Sequence, residues 1–441
     1  MRRVASATIV IWSVAVSAGT MIGLARLHAQ SPKSVSSSAG APPRSTTIVP
    51  FRIHVSDDVL SDLKQRLSRA RFADDISDSG WDYGANLDYM KSLVAYWRDK
   101  YDWRAQERRL NEFEQFKTNI DGLDVHFVHR RSNIPGAVPL LLLNGWPSSI
   151  EEYAKVIGPL ADSRARDGQA TAAFDVVIPS MPGYGFSDKP RTRGYNPERI
   201  AHIWATLMAR LGYARYVAHG SDWGIAVASY LALHDSAHMT ALHLAGCPGG
   251  LTAPAMPPPA ATAPALVSSN LGYQEIQTTK PQTLGQGLSD SPLGLASWII
   301  DKWHSWSDHD GDLERVYTKD ELLTNIMLYW VTNSGTSSAR LYYESRHIDG
   351  RLLPTFFEGF LPRLPQGRVT VPTGCGAFPS QYDRRGTTIN FDAEVSRRSA
   401  EARYNVVYST ISKRGGHFPA LEQPQAWMDD LRAFAQQHGR P

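Results

Sequence analysis

The stretch "VAHGSDWGIAVASYLAL", Val217 to Leu233, sets a carboxylate between two glycines: Gly220, Asp222 and Gly224 read G-x-D-x-G. A short apolar run leads in and a helical pattern leads out. That is the layout of a sharp strand-to-helix turn that lifts one side chain into a pocket, a place commonly taken by serine. A carboxylate there sits at the carboxyl end of a strand and at a helix N-terminus. The helix dipole and free N–H groups keep it ionised, and an ionised carboxylate is a competent nucleophile. Serine attacking saturated carbon would leave an ether, which water does not readily remove. Aspartate leaves an ester, whose carbonyl activated water can cleave. The pattern therefore points to alkyl transfer at saturated carbon; the plainer alternative is an inert helix-capping aspartate.

Cleaving such an ester needs a base and an anion site. "SKRGGHFPALEQP" supplies His417 after two glycines and after the last apolar strand, so the nucleophile comes early in the chain and the histidine late. A lone surface histidine is the bland alternative. "LLLLNGWPSS" places Asn144, Gly145, Trp146 and Pro147 directly after an early strand. The N–H of Trp146 in that loop, with the N–H of Trp223 after the nucleophile, can form an oxyanion hole.

These residues need a frame. From about residue 119, short apolar runs ending in turn residues alternate with helical segments: "LDVHFVH", "VPLLLLNG", "FDVVIPS", "ARYVAHG", "ALHLAG", "GRVTVPTG" and "YNVVYST". The alternation predicts an α/β fold, a mostly parallel sheet flanked by helices. The last helix is expected in "PQAWMDDLRAFAQQ". Between "LHLAGCPGG" and "GRVTVPTG" lies a long interruption, Pro/Ala-rich at first and then helical with many Trp and Tyr residues, which reads as a cap over the sheet edge. Residues 48–118 read as a separate helical arm packing on the core. Its first helix has Leu60, Leu63 and Leu67 in register, Ser56 as N-cap, and Asp57 and Asp58 in the first turn. The expected divisions are 1–29 signal peptide, 30–47 disordered linker, 48–118 N-terminal helical domain, 119–248 core, 249–365 cap and 366–441 core again.

The chain has 441 residues, 42% hydrophobic and 20% charged, enough for a sizeable core, and a net charge of +3. That charge, without a long basic run, argues against a nucleic-acid partner. Arg2 and Arg3 precede an uncharged run from Val4 to Ala25, and Ala29 offers a small residue before a cut. This predicts export to the periplasm or beyond. The alternative is an uncleaved membrane anchor at residues 4–25. The two cysteines, Cys247 and Cys375, form no C-x-x-C, so zinc or thioredoxin chemistry is not expected.

Taken in order, several segments carry a resemblance. They are "NLDYMKSLVAYWRDKYDWRAQERRLNEFEQFKTNIDGLDVHFVH", "NGWPSS", "PSMPGYGFSDKP", "GSDWG", "SDSPLGL", "NIMLYWVTNSGTSSARLYYES", "VPTGCGAFP" and "RGGHFPALEQP". From about Ile48 onward the chain resembles the microsomal-type epoxide hydrolases, a branch of the α/β-hydrolase fold with a helical N-terminal domain. The resemblance implies conversion of a small apolar epoxide and water to a vicinal diol, with no metal or organic cofactor. It also implies two cap tyrosines that hydrogen-bond the epoxide oxygen and supply its proton. Tyr273 follows the N-L-G-Y segment and Tyr342 lies in R-L-Y-Y-E, with Tyr343 left as the core partner.

Two positions depart from that family. Its loop reads H-G-W-P, and here Asn144 replaces the histidine. Its triad acid falls two residues after A-F-P, and here that position is Gln381. A carboxylate would orient the histidine and stabilise its imidazolium; glutamine adds no charge. Asp383 is the preferred substitute, ahead of Asp392 and Glu394. Attack by Asp222 is expected to survive this change, and ester hydrolysis to slow. Two other functions stay open: a catalytically impaired member that binds an apolar ligand, and a haloalkane dehalogenase-like hydrolase with Asn144 and Trp223 holding halide. In this fold the strands ending at Cys247 and near Cys375 are neighbours, so a disulfide is expected, with two free buried thiols as the alternative.

Overall fold

The structure, a computed structural model, describes residues 46–162, 172–247, 272–353, 368–378 and 400–439. The expected signal peptide and nearly all of the linker fall outside these residues, as do Gln381, Asp383, Asp392 and Glu394.

Nine strands form one sheet in the order β1-β2-β3-β5-β4-β6-β7-β10-β11. They are β1 (Val49–Phe51), β2 (Gln115–Ile120), β3 (Leu123–Arg130), β4 (Val138–Leu143), β5 (Phe174–Pro179), β6 (Tyr216–Gly220), β7 (Met239–Leu244), β10 (Val369–Ala377) and β11 (Tyr404–Ile411). Each apolar run named above becomes a strand. The pairs from β1 to β5 are antiparallel, and from β5 across to β11 all are parallel. Parallel strands buried on both faces read as near-continuous apolar runs, which is how β4, "VPLLLL", appears. Helices α4 (Ile157–Ala161), α5 (Pro197–Arg210) and α6 (Trp223–His234) cross between them, and α13 (Pro424–His438) closes the chain after a single turn, α12 (Pro419–Glu422). Helix α6 is buried almost throughout, which accounts for its apolar character on every side.

The N-terminal segment folds as helices α1 (Asp57–Ser68), α2 (Leu87–Asp99) and α3 (Trp103–Leu110). Asn86 caps α2 by accepting the Tyr89 N–H, and Asp102 caps α3 through Ala105. Ser56 stands at the cap position of α1 but makes no side-chain cap bond. Two features correct the picture of a separate helical arm on the core. The segment adds β1 to the sheet edge, and β2 runs across residue 118. Its helices also lean on the cap as well as the core: Tyr96 Oη donates to Asp320 Oδ1 at 3.0 Å, Tyr101 meets Thr324 at 3.0 Å, and Trp81 stacks on His304. The apolar stripes of α1 and α2, with Leu63, Leu67, Met90, Leu93, Val94 and Trp97, must be buried against something, and cap helices offer the facing surface.

The cap comprises α7 (Gly272–Thr279), α8 (Pro281–Asp290), α9 (Pro292–Trp306), α10 (Lys319–Val331) and α11 (Gly335–Arg346), followed by the hairpin β8 (His347–Ile348) and β9 (Arg351–Leu352). Polar bonds fasten it to core loops: Asn325 Nδ2 to the Pro147 carbonyl at 2.8 Å, Tyr329 Oη to the Ser148 carbonyl at 2.7 Å, and Ser337 Oγ to the Gly183 carbonyl at 2.6 Å. Among the described residues no helix is long and apolar enough to cross a membrane.

Strand β7 pairs with β10, and Cys247 and Cys375 are joined with their Cα atoms 5.3 Å apart. The bond spans 128 residues, including the cap insertion. A thiol assay on the denatured, unreduced protein is expected to find no free thiol, and two after reduction. Replacing both cysteines by serine should lower stability by about 2–5 kcal/mol, read by denaturant titration.

Candidate functional site

The register of β4 and β6 builds the site. Leu143 pairs with Gly220, and the Ser221 N–H donates to the Leu143 carbonyl at 2.9 Å. The loop after β4 and the turn after β6 therefore leave the sheet side by side. Asp222 adopts φ 49° and ψ −125°, a conformation L side chains rarely hold and one that costs about 1–3 kcal/mol. The flanking glycines permit it. A Cβ on Gly224 would lie 2.0 Å from the Leu143 carbonyl oxygen, and one on Gly220 would lie 2.4 Å from that of Gly224.

Asp222 occupies the N-cap position of α6, yet its side chain makes no capping bond. Instead its two oxygens go to two other loops. Oδ1 accepts the Trp146 N–H at 2.9 Å, and Oδ2 lies 3.3 Å from His417 Nε2. Gly145 makes this approach feasible, since a Cβ there would fall 2.0 Å from Oδ1. The peptide between Trp146 and Pro147 is cis. Asn144 Nδ2 donates to Ser148 Oγ at 2.9 Å, so it holds the loop's own turn. His417 is buried; its N–H donates to the Trp306 carbonyl at 2.8 Å, and Glu422 accepts from the N–H groups of Gly416 and Phe418 on either side of it.

Above the carboxylate stands an aromatic wall. The Tyr273 ring stacks on Trp146 at 5.2 Å, Tyr342 stands edge-on to Trp223 at 4.8 Å, and the two tyrosine rings are 5.9 Å apart. Burial pushes the Tyr342 phenol well above its usual range, with further upward pushes from Tyr273 and Asp222, so it remains a proton donor. Tyr343 is no core partner: it is half-buried and stacks on His347, 3.7 Å between centroids, because it follows Tyr342 by about 100° around α11.

The structure thus brings Asn144, Gly145, Trp146, Pro147, Asp222, Trp223, Tyr273, Tyr342 and His417 together. Two neighbours escaped the sequence reading. Trp306 lies against both Tyr273 (5.3 Å) and His417 (4.8 Å), and its only signal was the aromatic richness of the cap. Glu152 follows the N-G-W-P-S-S run closely, but its burial behind the nucleophile had no signal in spacing.

Residues 48–153 match the family model for the epoxide hydrolase N terminus, and residues 138–292 match that for the alpha/beta hydrolase fold. Epoxide hydrolase 1 of Sus scrofa is 35% identical over 422 residues, covering 88% of each chain. The chain belongs to the epoxide hydrolase family. Two solved structures agree. The juvenile hormone epoxide hydrolase of the silkworm Bombyx mori superposes with TM-score 0.73 at 32% identity, covering 89% of this chain and 94% of that one. The Aspergillus niger epoxide hydrolase does so with TM-score 0.71 at 28% identity, over 90% and 97%. As an epoxide hydrolase, the chain is a hydrolase acting on ether bonds.

Gly145→Ala tests the loop contact within this family site. The added methyl must push Trp146 off Oδ1, so turnover of an aryl epoxide is expected to fall on the order of 10²-fold. The circular dichroism spectrum should keep its wild-type shape, while overpacking by about 1–3 kcal/mol should lower the melting temperature by several degrees.

Proposed function

We propose that this epoxide hydrolase opens a small apolar epoxide through an ester on Asp222. Oδ2 attacks a ring carbon, the ring C–O bond breaks, and a tyrosine phenol, Tyr273 or Tyr342, protonates the departing oxygen. His417 then takes a proton from water, and the hydroxide adds to the ester carbonyl carbon. The negative charge that develops on Oδ1 meets the Trp146 N–H, joined in this reading by that of Trp223. Collapse of the adduct expels the alkyl oxygen, which takes the proton from His417. The new Asp222 carboxyl returns its proton to the phenolate, and the diol leaves.

One observation carries this reading: the two oxygens of a single carboxylate are held by separate groups, an N–H donor and an imidazole. The first suits the oxygen that stays, the second the oxygen that reacts. Gln381 at the family's acid position adds no charge of its own, and unless Asp383 takes its place hydrolysis of the ester is the slow step. The proposal extends to the rest of the chain: an exported enzyme, cleaved after residue 29 or anchored by residues 4–25, with a linker to 47 and a cap over 249–365.

Rapid mixing with styrene oxide followed by intact-mass measurement is expected to show an enzyme-plus-epoxide mass in the wild type that decays slowly. Asp222→Asn should form none. Tyr342→Phe and Tyr273→Phe should each slow its formation by about 10²-fold, and the His417→Gln adduct should persist. Rapid turnover with no accumulated adduct would contradict the slow-hydrolysis reading.

A further inference from the structure

Helices α5 and α6 pack side by side, and where the first turn of one meets the last turn of the other, three ligand-type side chains converge. Glu198 stands in the first turn of α5, behind the Asn196 cap and Pro197, where a carboxylate suits a helix N-terminus. His202 follows four residues on, so the two share one face of the helix. His234 is the last residue of α6. Its Nε2 lies 3.0 Å from Glu198 Oε1, and its ring lies 5.0 Å from that of His202. One oxygen of Glu198 and one nitrogen from each imidazole all fall within 4.8 Å of one another.

An ion pair accounts for only part of this cluster. Glu198 and His234 satisfy each other without a third group. Among the described residues no hydrogen bond ends on the His202 nitrogens, and its ring meets that of His234. Both imidazoles line a cleft of about 210 Å³ together with Ala201, Thr206, Leu231 and Asp235. The site is open to solvent, since His202 is exposed and the side chains of His234 and Glu198 are 38% and 45% exposed. The charge around it favours a cation. The negative end of the α6 dipole points here. Asp235, held by Tyr216 Oη and His238 Nδ1 at 2.6 Å each, adds a further carboxylate behind His234. Arg199, next to Glu198, is paired with Asp121 at 2.6 Å.

Two imidazoles and a carboxylate are the donor set of zinc and its neighbours, whereas Ca²⁺ and Mg²⁺ take oxygen ligands. Three such atoms bound tetrahedrally at zinc distances stand about 3.4 Å apart. Reaching that spacing from the 4.8 Å bound takes about 1.4 Å of approach, which rotation of half-exposed side chains supplies. Water from the cleft fills the fourth position. No cysteine is needed, and both cysteines are in the disulfide. The cluster is also remote from the chemistry: Asp222 and His234 stand at opposite ends of α6, about 18 Å along its axis.

We propose that Glu198, His202 and His234 bind a divalent transition ion of the zinc class, which clasps α5 to α6 at a site separate from the catalytic carboxylate. The inference is independent of the Asp222 ester. Untagged, chelator-treated full-length protein is titrated with Zn²⁺ by equilibrium dialysis. One ion per chain is expected, with a Kd of about 1–10 μM, weaker than four-ligand structural sites. Zinc at about 100 times that Kd should raise the melting temperature by about 2–5 °C, and millimolar Mg²⁺ or Ca²⁺ should not compete. His202→Gln and His234→Gln should each weaken binding about 100-fold or more and remove the thermal shift. His238→Gln, which lies outside the ligand set, should bind as wild type does. Should His234→Gln not fold for want of its bond to Glu198, His202→Gln, which breaks no such bond, decides. Zinc bound as tightly by His202→Gln as by wild type, or lost only in His417→Gln, sits elsewhere and would overturn the proposal. So would a wild type that binds no zinc at the highest concentration.

Discussion

The hydrogen bond from the Trp146 N–H to Asp222 Oδ1 is the contact around which the rest is arranged. It joins two turns that leave adjacent parallel strands, and it exists because Leu143 and Gly220 are paired in register. Three glycines are needed for it. Gly224 lets the elbow pass close to β4, Gly220 lets α6 begin close against the end of β6, and Gly145 lets the loop close on the carboxylate. The strained backbone of Asp222 is the cost of lifting the side chain off α6 and into the path of both Trp146 and His417.

The cap and the N-terminal helices hold this contact in place from the other side. The carbonyls of Pro147 and Ser148 are gripped by Asn325 and Tyr329 of α10, so the loop is fixed by the cap as well as by the sheet. The cap in turn is propped by α2 and the turns on either side of it, through Tyr96, Tyr101 and Trp81. Motion that admits substrate past the aromatic wall therefore has to be reconciled with these ties. The cap also contributes the phenols of Tyr273 and Tyr342, so the same element that fixes the loop carries the proton donors.

Much of the frame was legible because its signals are local. Apolar runs ended by turn residues gave the strands, and G-x-D-x-G gave the elbow, since only glycine fits those approaches. The joining of the arm to the sheet and to the cap was not legible. Three residues of β1 carry little periodicity, and which surface buries the stripe of α2 is decided by tertiary packing. Within the site, Asp222 and His417 could be read from chain order and flanking glycines. Tyr273 and Tyr342 came only from family resemblance, because the chain has 18 tyrosines and spacing favours none. Tyr343 shows the limit: two adjacent tyrosines on α11 are separated by the helix rotation, one against Trp223 beside the nucleophile and the other against His347. Glu152 was hidden for a further reason, since the sequence cannot tell a buried carboxylate from the exposed ones that outnumber it.

The most direct test of the covalent route is oxygen tracing. A single turnover of excess enzyme with an aryl epoxide is run in water enriched in the heavy oxygen isotope, and the peptide containing Asp222 is then examined by mass spectrometry. Attack of water on the ester carbonyl carbon leaves solvent oxygen in the Asp222 carboxylate and an unlabelled diol, which is the predicted result. Label in the diol with none in Asp222 would mean that water opened the ring directly, and would contradict the account.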